Sequence, residues 1–79
     1  MLEAGKTYLY DWGSNITYHY IRDIKDGIPH CVSFNIYRNV LTYDFNNKFK
    51  STGVMGLTEI DSRDMLKIVF KQEVFQLWI

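Results

Sequence analysis

DIKDGIPH, residues 23–30, reads as a tight turn between two runs of alternating side chains. The number of residues that loop out decides which side chains face each other. A two-residue loop, Asp26-Gly27, pairs Lys25 with Ile28. It then sets Tyr20 against Ser33 and Tyr18 against Asn35, which leaves both faces mixed. A three-residue loop, Lys25-Asp26-Gly27, pairs Ile24 with Ile28. One face then carries Ile16, Tyr18, Tyr20, Arg22 and Ile24 against Ile28, His30, Val32, Phe34 and Ile36. The other carries Thr17, His19, Ile21 and Asp23 against Pro29, Cys31, Ser33 and Asn35. A buried face selects register strongly, because a one-residue slip turns every side chain over. The cleaner separation favours the three-residue loop, with Gly27 at the left-handed position of a bulged turn.

The next turn continues the pattern. With Arg38-Asn39 as a two-residue loop, Ile36 faces Leu41, Phe34 faces Tyr43 and Val32 faces Phe45. Residues 16–24, 28–37 and 40–45 are therefore expected to form an antiparallel meander, apolar on one side and solvated on the other. KTYLYDW (6–12) alternates as a first strand and ends at Gly13-Ser14-Asn15. NNKFKSTG reads as a loop, with room for a short strand around Lys48–Lys50. Asp61 or Ser62 caps a helix of about residues 62–69, in which Leu66, Val69 and Phe70 share a face. LKIVF also alternates, so a strand over 65–70 is the competing reading. EVFQLWI reads as a last strand, paired with the first in a closed barrel or lying at an edge in an open sheet. The expected fold is mainly β with one short helix, in a single domain of 79 residues: a small bent antiparallel sheet or an SH3-like or OB-like barrel of about five strands.

Composition narrows the function classes. Acidic and basic residues balance at nine each, so no global field draws the chain to nucleic acid or to a membrane. The single cysteine, Cys31, rules out an intrachain disulfide and suits a reducing compartment. The N-terminus lacks the pattern of a signal peptide, and no apolar run reaches the roughly 18 residues of a membrane span. A cytoplasmic location with no membrane partner is the expectation. Phe, Tyr, Met, Ile, Asn and Lys supply 33 residues, whereas Gly, Ala, Arg and Pro supply 10. AT-rich codons specify the first group and GC-rich codons the second, which points to an AT-rich genome such as that of a bacteriophage.

Groups that could carry chemistry are scattered. His30 and Cys31 are neighbours on a strand and point to opposite faces, so they cannot form a dyad. His19 and Cys31 share a face only diagonally. His19, Asp23 and Cys31 match no metal-ligand spacing, and Gly53 and Gly56 lack the lysine of a phosphate loop. No catalytic residue, metal or cofactor is expected.

Two binding readings remain. Thirteen aromatic residues are more than the core of so small a domain needs, and Tyr8, Tyr10, Trp12 and Tyr37 form the expected partner-binding set. The first reading is a non-catalytic protein-binding module, a phage-encoded accessory protein that inhibits or redirects a host factor in the host cytoplasm. The second is a small nucleic-acid-binding barrel that uses Arg38, Lys48, Phe49 and Lys50, lysines interleaved with a ring that bases can stack on. A homodimer is also expected, with the C-terminal strand or the Tyr8–Trp12 stripe at its interface.

Overall fold

The computed structural model describes residues 1–77. Five strands and one helix follow in chain order: β1 Thr7–Asp11, β2 Asn15–Lys25, β3 Ile28–Tyr37, β4 Val40–Lys48, β5 Thr58–Ile60 and α1 Ser62–Leu77. The strands make one open antiparallel sheet in the order β4-β3-β2-β1-β5. The sheet does not close into a barrel. The segment beside β1 is Thr58–Ile60, where the closed-barrel reading placed residues 73–79.

The turn at Asp26-Gly27 has two residues after all. Asp26 and Gly27 take φ of 52° and 76°, and Lys25 pairs with Ile28. Both left-handed residues belong to a type I′ turn, whose twist matches the flanking strands. The expected register nevertheless holds from Ile21↔Cys31 to Ile16↔Ile36. One extra residue, Arg22, is the reason: the ladder shifts between Ile21 and Asp23, so the spare residue is bulged into β2 instead of into the turn. The bulge has a packing consequence. Ile24 now pairs with Pro29 and lies on the same face as Ile21, while Asp23 and Lys25 move to the other.

β4 carries a second bulge. Arg38 and Asn39 both have positive φ, and Phe34↔Tyr43 and Ile36↔Leu41 pair as expected. Between Ser33↔Asp44 and Cys31↔Asn47 the register then shifts by one residue, so residues 45 and 46 stand opposite Val32. The shift puts Asn47 on the face of Ser33 and Cys31.

Both faces of the sheet are covered. Helix α1 crosses the face of Leu9, Ile16, Tyr18, Tyr20, Phe34 and Ile36, and presses Met65 and Val69 onto it. This is the helix face. The back face was expected to be solvated, yet Ile21 and Cys31 on it are fully buried and Pro29 is buried too. The N-terminal segment and residues 49–57 fold over it. Leu2 joins Tyr8, Ile21 and Cys31, with Ile24, Phe49, Val54 and Leu57 packed around them. Leu2 N–H donates to the Thr52 carbonyl at 2.8 Å, which ties the two covering segments together.

The helix starts as the sequence predicts and ends later. Asp61 Oδ1 accepts from Arg63 N–H at 2.7 Å, a cap that also holds the carboxyl below its ordinary range. No glycine or proline follows up to residue 77, so nothing stops the helix at residue 69. EVFQL is its last part and not a strand. Gln72 Nε2 donates to the Asn39 carbonyl, Tyr43 Oη to Glu73 and Leu41 N–H to Gln76, and these bonds fasten the extension to β4 and the turn before it. Trp78 and Ile79, the end of the expected last strand, lie outside the described residues.

Candidate functional site

The back face divides into a covered half and an open half. The covered half holds the densest polar cluster. His19 stands opposite Ser33, and its Nδ1 lies 2.6 Å from Ser33 Oγ. Asn47 Nδ2 donates to the same oxygen at 2.9 Å, and Cys31 Sγ lies 3.7 Å from it. With Asn47 donating, the hydroxyl can donate its own hydrogen bond to the Nδ1 of a neutral His19. Burial favours that neutral form, because it lowers the His19 pKa. A serine hydroxyl on an imidazole is the opening geometry of nucleophilic catalysis. Here Ser33 is buried, and the Phe49 ring packs edge-on over His19 at 4.8 Å between centroids. Among the described hydrogen bonds, no carboxylate reaches the imidazole. Burial also pushes the Cys31 thiol up, away from its reactive form. The cluster satisfies buried polar groups. The sequence register gave the His19–Ser33 pairing, but its importance was hidden because that face was taken as solvated.

The open half is aromatic at its margins and polar between them. Cross-strand rows run Tyr10, Thr17, Asn35 and, one step outward, Asn15, Tyr37. Trp12 flanks the second row, its N–H donating to the Asn15 carbonyl at 2.9 Å. The Tyr10 and Trp12 rings tilt against each other at 5.7 Å. Trp12 is 68% exposed, Tyr37 43% and Tyr10 37%. Between them Asn35 Nδ2 donates to Asn15 Oδ1 at 2.6 Å and to Thr17 Oγ1 at 2.8 Å, which fixes the polar floor. The Arg38 guanidinium sits 5.2 Å from the Tyr37 ring centroid, a cation–π contact that holds that ring at the rim.

Three of the four expected partner-binding residues therefore share one surface. Tyr8 is the exception. It is buried in the covered half, and its Oη accepts from Glu3 N–H at 2.9 Å. The sequence posed Leu9 and the tyrosine stripe as rivals for a single core. With two covered faces, Leu9 packs under the helix and Tyr8 under the N-terminal segment.

Of the alternative set, Lys48, Phe49 and Lys50 line one pocket with Ile28, and Arg38 stands apart from them. Arg38 lies in the turn before β4 and Lys48 at the far end of that strand, about 27 Å away at the usual rise per residue. Lys48 and Lys50 flank Phe49, whose ring packs into the back-face cluster. Among the described residues no group of three or more potential metal ligands occurs, and no helix is long and apolar enough to cross a membrane. No protein-family model matches this chain, and no curated protein or solved structure matches it either.

Proposed function

We propose that this chain is a non-catalytic protein-binding module whose recognition surface is the open half of the back face. The observation that carries the reading is the convergence of Tyr10, Trp12 and Tyr37 on one exposed surface with a preset polar floor. Exposed Tyr and Trp are the side chains that dominate binding energy at protein interfaces. Both rings in the Tyr10–Trp12 pair are already held against each other, so little rotamer freedom is lost on binding. The AT-rich residue usage supports a phage origin, and on that origin the bound protein is a cytoplasmic host factor that the module inhibits or redirects.

The test is affinity capture from bacterial lysate. The intact chain should retain a host protein at high salt, and Trp12→Ala combined with Tyr37→Ala should release it while the fold is kept. Retention unaffected by the double substitution overturns the reading. The nucleic-acid alternative rests on Lys48 and Lys50, with Phe49 drawn into the core. It predicts the opposite salt response, since phosphate-driven binding weakens steeply as salt rises.

A further inference from the structure

Helix α1 leaves an apolar groove open on its own side of the sheet. The groove measures about 370 Å³ and is walled by Tyr20, Val32, Phe34, Met65 and Leu66. Beside it stands an apolar ridge. Phe70, one helical turn beyond Leu66, is 70% exposed, and Phe45 on β4 is 57% exposed. Tyr43 links Phe45 to the groove wall, edge-on to Phe34 and stacked on Phe45.

We infer that this face is a homodimer interface, in which Phe70 of each copy enters the groove of the other. A knob and a hole side by side on one face are what a two-fold axis makes self-complementary. The sizes agree, since an apolar cavity of about 150 Å³ already holds a benzene ring. The three exposed rings supply about two thirds of the apolar area such an interface asks for. A standard interface takes about 800 Å² from each partner, and a homodimer core is about 65% apolar, which asks for about 500 Å² of apolar surface. At about 200 Å² per ring, the exposed parts of Tyr43, Phe45 and Phe70 offer about 340 Å². Leu66 and the groove walls add to that. The formal net charge of zero removes any overall repulsion between copies.

The first outward N–H of the β4 edge is already taken. In the β3–β4 hairpin the pair next to the turn, Tyr37↔Val40, is the bonded one, so Leu41 N–H points to the free edge. Gln76 already accepts that N–H. Residues 73–77 of the expected terminal strand are helical and offer no edge of their own. The Tyr10–Trp12–Tyr37 surface lies on the opposite face and stays open in such a dimer.

Sedimentation of the intact chain from low micromolar concentration upward tests the inference. The expected result is a shift from 9.4 kDa to twice that mass as concentration rises. Phe70→Glu should raise the dimer dissociation constant at least about thirtyfold, the size of one hot-spot loss, with helix content unchanged by circular dichroism. Leu66→Lys should do the same and serves as an independent reading if Phe70→Glu fails to fold. Trp12→Glu, on the other face, should leave the dimer intact. A chain that stays at 9.4 kDa throughout overturns the inference and leaves the groove to another occupant. A dimer broken by Trp12→Glu but not by Phe70→Glu or Leu66→Lys overturns it too.

Discussion

The helix face and the back face bury their residues by different means. A continuous helix with one cap, two bonds to β4 and one to the turn before it covers the first. Two irregular segments, residues 1–6 and 49–57, cover the second and are joined by a backbone hydrogen bond. The irregular cover is no looser where it lies: Ile21 and Cys31 beneath it are fully buried, as Thr7 and Met65 are on the helix face. Both clusters have half-buried margins, Ile24, Phe49, Val54 and Leu57 on the back face and Phe34, Ile36 and Tyr20 on the helix face. A regular cover is thus no guarantee of a better core. A straight helix crossing a twisted sheet leaves open corners, and a loop can follow the surface.

The largest expected effect tests that comparison. Ile21→Ala should destabilise by about 3–5 kcal/mol, because a fully buried branched side chain leaves a cavity that a packed sheet closes poorly. Phe34→Ala should cost less, about 2 kcal/mol, because its ring is half in solvent already. Chemical denaturation of both variants decides it, and a larger loss for Phe34 would mean that the back face is the looser core.

A middling effect concerns the turns that aim the two faces. Gly27 and Gly13 both take positive φ, 76° and 73°, and neither has atoms in the way of a Cβ. Gly27→Ala and Gly13→Ala should therefore cost about the same, about 1 kcal/mol each from backbone strain alone. Thermal melts that show Gly27 as much the more sensitive would restore the bulged three-residue turn expected from the sequence.

The smallest effect is a pH dependence confined to the back face. Burial holds the His19 pKa below its ordinary value. In the window between that lowered pKa and about 6.5, the unfolded chain binds a proton that the folded chain resists. Stability from this source is complete above that window and is lost as the pH falls through it. Melting temperatures followed from about pH 7.5 to about pH 5 should drop. They should drop less in His19→Gln. Equal slopes would mean that His19 is not shielded by Phe49.

Much of the fold was legible from side-chain alternation. The meander, the register of Ile16–Ile21 with Cys31–Ile36, the second turn and the start of the helix all follow from period-two and capping patterns. Two features were not legible. A bulge is one residue with no chemical signature of its own, and the spare residue could sit in the turn as Lys25 or in the strand as Arg22 with the same count. The cover of the back face was hidden because His19, Ser33 and Asn35 make that strand face read as polar, while Leu2, Val54 and Leu57 lie in segments with no period to read. The candidate site was partly legible for the same reason. Tyr10, Trp12 and Tyr37 were picked by composition, but their meeting on one surface depends on a pairing across three strands.

The bond from Leu2 to Thr52 also fixes when the molecule can be finished. The hairpins of the meander join neighbours along the chain, so they can form as soon as their residues exist. Neither cover can. Leu2 must wait for a partner at residue 52, and Thr7 Oγ1 meets Ser62 Oγ across 55 positions. A growing chain adds about 5–20 residues per second, so a meander completed at Lys48 spends seconds with both apolar faces bare. The order of synthesis thus makes the back face, whose cover ends at residue 57, the first to leave water, and the helix face the last.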